Sequence, residues 1–311
     1  MLRACALRLL RSPRRYDPIL EELACERVEA MLREHGGDRD HSTEEWVNFE
    51  QQFLTSIERL PLNSFCTWKV TRETMFVGNT RYLLAELRYL RVTSTARRWK
   101  RELRSLGIGG GERCIFLPSS DGNTIHHSFQ LAKFEHSINS RLSDFDLIVE
   151  FGAGFGSMCN LVHQKGFQGR YVIIDLPTLH LLQTYVLTTA GLRVCRDLPD
   201  DRSEPDSGIY LFSEVAKAAS FIAQFVGRKA FIASWSLSET PIYIREEMGT
   251  LFPMFEAMLI AFQRSFSGID NLEYFSKLCE TSNHLDWSTE PLNHLPGNYL
   301  LTGIRRAESS T

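Results

Sequence analysis

One stretch of the sequence, Asp146 to Leu176, constrains the fold more than any other. An apolar run, Leu147-Ile148-Val149, leads into Glu150-Phe151-Gly152-Ala153-Gly154-Phe155-Gly156. A segment of helical length follows, then a second apolar run, Tyr171-Val172-Ile173-Ile174, closed by Asp175. Short β-branched runs on either side of such a segment predict a strand, helix, strand crossover. The glycines stand where the first strand turns into the helix. Lacking Cβ atoms, they take positive φ and let a ligand approach the backbone. Asp175 lies nineteen residues past Gly156, at the end of the second strand, where an acid meets a ribose in nucleotide-binding folds. The stretch predicts a site for an adenosine-containing cofactor.

The glycine spacing bears on which cofactor. A dinucleotide fingerprint has its third glycine five residues after the first, where the helix begins under the pyrophosphate. Here Ser157 holds that place and the third glycine is Gly156, giving G-x-G-x-G. Glu150 ends the first strand, and a carboxylate there repels pyrophosphate and suits a cation. S-adenosylmethionine (SAM), with its sulfonium and ammonium and no phosphate, fits these demands. The acid followed by three glycines resembles the first motif of class I SAM-dependent methyltransferases. Two alternatives remain open: a nicotinamide-dependent oxidoreductase, and a catalytically silent interaction protein.

Composition narrows the class. The chain has 311 residues, 43% hydrophobic and 23% charged, as in soluble globular proteins with a substantial core. A net charge of −3 gives no general attraction to nucleic acid or anionic membrane. Seven cysteines, scattered and never spaced C-x-x-C, argue for free thiols in a reducing compartment and against a structural zinc. No apolar run is long enough to span a membrane, so the expected location is cytoplasmic. Residues 1–16 carry five arginines and no other charge but Met1's amino group, which predicts a basic, poorly ordered terminus in preference to an organellar transit segment.

Three regions follow: 1–16, a helical cap or interaction region over 17–115, and a cofactor-binding region over 116–311. In the second, Val28, Met31 and Leu32, then Phe49, Phe53 and Ile57, then Leu83, Leu84, Leu87 and Leu90 recur near helical spacing. The basic segment Arg97 to Arg104 is read as a solvated helix face, with contact to a phosphate-bearing substrate as its functional alternative. Gly107 to Glu112 and Asp197 to Ser207 look like linkers. After Asp175, strands are expected at Ile209–Phe212, Ala230–Ser234, Met258–Phe262 and Tyr299–Ile304, with helical stretches between most of them. That alternation predicts an α/β fold, a Rossmann-like, mostly parallel sheet with helices on both faces.

Just before the first strand comes Ser119-Ser120-Asp121-Gly122-Asn123-Thr124-Ile125-His126-His127. Together with E-F-G-x-G-x-G, I-I-D-L-P, Ser236-Leu237-Ser238-Glu239 and the segment Gly268 to Phe275, it resembles the sugar O-methyltransferases of class I over residues 119 to 304. Ala153 and Ser157 depart from relatives that have glycine there. The resemblance implies a reversed final strand and methyl transfer to a sugar hydroxyl on a glycan or glycolipid precursor. Another small molecule, or a protein, is the alternative acceptor.

A sugar hydroxyl holds its proton tightly, so a base within hydrogen-bond reach helps transfer. His126 and His127 are the first candidates, against the plain reading of packed core histidines. Glu239, after the fourth strand, is a third candidate, or else a helix-start acid. For the cofactor, Glu150, Gly152, Ala153, Gly154 and Gly156 are assigned to the methionine end. Asp175 is assigned to the ribose, Leu176 and Ser213 to the adenine, and Ser234 to the transfer site. Asp270 and Asn271 are sugar or cation ligands, or merely a turn. Trp287 either stacks on a sugar or anchors a loop with His284 and His294, which receive no role. No spacing supports a dedicated metal site.

Overall fold

The computed structural model describes residues 17–34, 44–92, 99, 103–195 and 207–306. The arginine-rich first sixteen residues lie outside these, as do nearly all of the Asp197–Ser207 segment and most of the Arg97–Arg104 run. Of that run Trp99, Leu103 and Arg104 are described, the first two buried and Arg104 exposed.

Helices α1 (Pro18–Glu34), α2 (Glu44–Arg59), α3 (Lys69–Thr74) and α4 (Tyr82–Val92) precede a small hairpin of β1 (Arg113–Cys114) and β2 (Leu117–Asp121). Then come α5 (Gly122–Ser137), β3 (Leu147–Phe151), α6 (Ser157–Gln164), β4 (Arg170–Ile174), α7 (Pro177–Thr189) and β5 (Val194–Cys195). The chain continues through β6 (Gly208–Phe212), α8 (Val215–Ala223), β7 (Lys229–Ser234), α9 (Ile242–Gly249) and β8 (Ala257–Gln263). A hairpin of β9 (Ser265–Phe266) and β10 (Ile269–Asp270), helix α10 (Asn271–Thr281), β11 (Leu285–Pro291) and β12 (Asn298–Arg305) complete it.

One sheet carries the fold, in the order β11-β12-β8-β7-β3-β4-β6-β5. The run from β8 to β5 is parallel, and β12 enters antiparallel between β8 and β11. Strands β6, β4, β3, β7 and β8 therefore stand in the 3-2-1-4-5 order of a doubly wound sheet. The predicted crossover, the four later strands and the reversed last strand are all present. One segment differs from expectation: the stretch read as a Trp287-bearing loop is strand β11, where Trp287 pairs with Gly303.

Every residue of β3 is buried, as a central parallel strand covered on both faces requires. Ile148 packs into one layer with α5 and α6, while Leu147, Val149 and Phe151 pack into the other with α8. The N-terminal helices add a third cluster, in which Val28, Phe49, Phe53 and Phe65 meet Leu179, Leu182 and Tyr185 of α7. Polar ties run alongside, Tyr185 donating to Glu21 at 2.7 Å and Thr178 to Glu50 at 3.1 Å. Helix α4 buries Leu83, Leu87 and Leu90 in the same cluster as α5; Leu84, expected with them, is 48% exposed.

The segment after α3 is pinned to the start of α5. Asn123 accepts from the Val77 amide at 2.9 Å and donates to the Met75 carbonyl at 2.8 Å. Asp121 caps α5 by accepting from Thr124 at 2.8 Å. Gly122 makes the close approach possible, since a Cβ there would lie 1.9 Å from the Val77 carbonyl oxygen. Gly122→Ala is expected to cost about 1–3 kcal/mol through this overpacking. A thermal melt checks it, and an unchanged midpoint would mean that residues 75–77 are not clamped.

Candidate active site

The carboxyl ends of β3, β4 and β7 lie side by side, with Phe151 paired to Ile174 and Ala233, and the chain leaves each through a loop carrying candidate residues. After β3, Gly152, Gly154 and Gly156 all have positive φ, at 67°, 57° and 81°. Gly156 caps α6 in the left-handed conformation, where a side chain would be strained.

Asp175 ties this loop to β4 and α7. Its Oδ2 accepts from the Gly154 amide at 3.2 Å and from Gln183 Nε2 at 2.7 Å, and its Oδ1 accepts from the Leu176 amide at 2.9 Å. Gln183 also donates to the Gly154 carbonyl at 3.0 Å. Burial nonetheless pushes Asp175 up to about 7 against these hydrogen bonds. Two acceptors near this junction lack partners: Gln183 Oε1 and His180 Nε2 are buried and unpaired.

Glu150 is 3% exposed and faces the α6 layer, accepting from Tyr171 Oη at 2.7 Å. Burial, with a smaller contribution from Asp175, pushes its carboxyl up to about 8. At neutral pH it is mostly protonated, so the expected repulsion of pyrophosphate does not follow from its sequence position alone. Ala153 is buried, Leu176 packs with the N-terminal cluster, and Ser213 is exposed just past β6.

The loop is covered closely. A Cβ on Gly152 would lie 2.2 Å from Ser236 Cβ, and one on Gly154 would lie 3.3 Å from Met75 Sδ. Ser236 donates to the Phe151 carbonyl, fastening the turn after β7 to the end of β3. Phe155 packs against Phe65 at 5.3 Å between ring centroids. The N-terminal helices thus contribute a wall to the site.

Helix α5 brings both candidate histidines to these strand ends. His127 Nδ1 lies 3.1 Å from Ser157 Oγ at the start of α6, and burial pushes it down to about 3. His126 is 2% exposed; its Nδ1 lies 2.6 Å from Glu86 Oε1 and its Nε2 2.9 Å from Gln130 Nε2. Ser234 joins this group by donating to Gln130 Oε1 at 2.9 Å. Trp235 stacks on His126 at 4.9 Å and donates to Asn298 at 2.7 Å. Its backbone φ of 63° is strained for a tryptophan.

Glu239 stands apart. It accepts from Gln263 at 3.2 Å, burial raises its pKa, and no hydrogen bond joins it to either histidine. Asp270 caps α10 through the Glu273 amide, while Asn271 is buried against Arg245 and the Ser238 and Gln263 carbonyls. Both thus serve the fold, and Trp287 donates to the Ser282 carbonyl. Glu86, to which the sequence gives no role, is where His126 and His294 meet, and His294 likewise has none. The signal for Glu86 was its position three residues from Leu83 and four before Leu90, on the buried face of α4.

No family profile and no curated protein match the chain. Solved structures do. An O-methyltransferase family protein from Burkholderia thailandensis matches with 12% identity, 60% of each chain covered and a TM-score of 0.39. The chain thus spans about three fifths of that protein's length. Magnesium protoporphyrin IX methyltransferase from Synechocystis PCC 6803, with bound SAM, matches with 13% identity over 73% of this chain and 98% of that one, TM-score 0.38. The methyltransferase domain of a bacterial Hen1 matches with 10% identity over 58% and 97%, TM-score 0.42.

The buried acids give a pH test. Glu150 and Asp175 hold protons in the folded chain that the unfolded chain releases, so each costs stability as pH rises toward about 8 and about 7. His127 and His180, pushed down to about 3 and about 4, act oppositely, their effect ending near the ordinary histidine value of 6.5. Between pH 6.5 and 8 the acids' effect prevails among these four groups. The thermal midpoint of the unliganded protein should fall across that window, and Glu150→Gln should flatten the fall. A wild-type midpoint that does not fall would mean that both acids are already ionised.

Proposed function

We propose that this chain is a SAM-dependent O-methyltransferase acting on a sugar hydroxyl, with residues 17–115 as a cap and 116–311 as the cofactor-binding region. The observation that carries the cofactor assignment is the junction of Asp175 with the glycine loop. The Gly154, Leu176 and Gln183 donors, with the Ala153 amide beside them, already meet the roughly four lone-pair sites of Asp175, so ribose hydroxyls would share or displace loop amides on its oxygens. Unpaired Gln183 Oε1 and His180 Nε2 add acceptors near it for an adenosine, whose hydroxyls and amino group are donors. Positive φ at the three glycines turns the loop there, and Met75, a flexible thioether over Gly154, yields at small cost.

SAM would supply an electrophilic methyl group on a sulfonium. Around it, the residues of this chain have defined work. Asp175 would hold the ribose, with Leu176 and Ser213 beside the adenine. The loop from Glu150 through Gly152, Ala153 and Gly154 to Gly156 would hold the methionine end. A cation there favours the ionised form of Glu150, whose proton is held mainly by burial. Ser234 and Trp235 would line the transfer site. An indole ring beside hydroxyl, amide and imidazole groups suits a sugar, which presents a C–H face and a polar rim.

Calorimetric titration with S-adenosylhomocysteine and, separately, NAD tests the cofactor. Micromolar binding of the first alone is expected; binding of NAD alone would replace the reading with a nicotinamide enzyme. Asp175→Ala should weaken S-adenosylhomocysteine by about 1.5–3 kcal/mol, the cost of lost charge-assisted hydrogen bonds. Transfer of tritium from methyl-labelled SAM to a panel of free, oligomeric and nucleotide-linked sugars tests the acceptor. Label found only in non-sugar acceptors would overturn that half of the proposal.

A further inference from the structure

Glu86 is fully buried in α4, and two histidines converge on one of its oxygens. His126 Nδ1 lies 2.6 Å from Oε1 and His294 Nε2 lies 3.1 Å from the same atom. The other oxygen, Oε2, is sealed from solvent with no partner. Burial alone would raise Glu86, but His126 and, to a lesser degree, His294 at its Oε1 outweigh it and hold the carboxyl below its usual range. An ionised Glu86 accepts from both rings, so each imidazole presents its N–H to Oε1.

The two histidines then differ in what remains. Nε2 of His126 takes the Gln130 amide at 2.9 Å, and the ring is 2% exposed beneath Trp235. Both its nitrogens are engaged inside the protein. His294 sits in the turn between β11 and β12, its side chain 17% exposed, with Phe129 and Tyr82 rings at 5.1 and 6.3 Å. Its Nδ1 has no hydrogen-bond partner among the described residues.

We propose that His294 is the general base toward the acceptor hydroxyl and that Glu86 is its positioning residue, fixing the Nε2–H tautomer so that the Nδ1 lone pair faces outward. This rests on the methyltransferase reading above. His294 Nδ1 takes the hydroxyl proton as the acceptor oxygen bonds to the methyl carbon and the carbon–sulfur pair returns to sulfur. The positive charge leaves the sulfonium and one positive charge appears on His294, against the anionic Glu86. An acid behind an imidazole steadies its tautomer and the imidazolium that forms. His126 serves as the inner support of Glu86, linking it through Gln130 to Ser234 at the end of β7. Two residues on, Ser236 touches the glycine loop.

The test is nitrogen NMR of the full chain labelled with ¹⁵N-histidine, His294 being assigned with His294→Gln. The wild type should show His294 with a protonated Nε2 and an unprotonated Nδ1, and Glu86→Gln should give tautomer-averaged shifts while S-adenosylhomocysteine affinity stays within about twofold. Averaged or Nδ1–H shifts in the wild type would overturn the proposal, and that spectrum decides even where Glu86→Gln does not fold. In the tritium assay His294→Gln should lower transfer by about 100-fold or more. Transfer within threefold of wild type would remove His294 as the base. A wild type with the expected tautomer that does not bind S-adenosylhomocysteine would overturn the methyltransferase reading, and with it the base role, while leaving the tautomer assignment standing.

Discussion

The site depends on a single carboxylate, that of Asp175. Its hydrogen bonds from the Gly154 amide, the Leu176 amide and Gln183 bind the loop after β3 to the end of β4 and the face of α7. Loops between parallel strands and helices otherwise have few partners for their backbone, and an unsatisfied buried amide costs about as much as a lost hydrogen bond. Holding the loop through a side chain keeps its glycines in left-handed conformations and keeps Gly154 facing Asp175. Because α7 also packs on α1 and α2, the geometry of the loop is coupled to the N-terminal helices.

That coupling changes the meaning of the N-terminal region. Met75 lies over Gly154, Phe65 packs on Phe155, and Glu86 reaches His126 of α5. The N-terminal region therefore supplies walls beside the glycine loop and a buried acid beside the histidines. Asn123 makes this specific, because its side chain satisfies both the amide of Val77 and the carbonyl of Met75. An apolar contact alone would allow the segment to slide.

Much of this was legible in the sequence, for identifiable reasons. The β3–α6–β4 crossover is local, and its β-branched runs, glycines and terminal acid all lie within thirty-one residues. Strand β11 was missed because it is an edge strand, with Trp287 partly covered and Ser288 to Pro291 largely exposed. Such a segment carries no apolar alternation and reads as a loop. Glu86 and His294 are 208 residues apart, and no pattern within either segment announces the other. Glu86 resembles a solvated acid on a helix until the buried face of α4 is known.

The two buried glutamates at this end of the sheet show why residue type alone could not assign the chemistry. Glu150 and Glu86 are both removed from water, and burial alone pushes both upward. Around Glu150 the Tyr171 hydroxyl opposes burial only in part, and Asp175 adds to it, so its carboxyl is pushed up to about 8. Glu86 meets two imidazoles on one oxygen and loses its proton. Environments that drive two identical groups apart are a means of assigning acid and base roles. Without a ligand, the fixed negative charge therefore lies behind His294, where the proposed base role needs it. The charge of Glu150 is available only once a cation arrives to draw the proton away. The cofactor side and the acceptor side would thus be charged in sequence, the second being ready before the first.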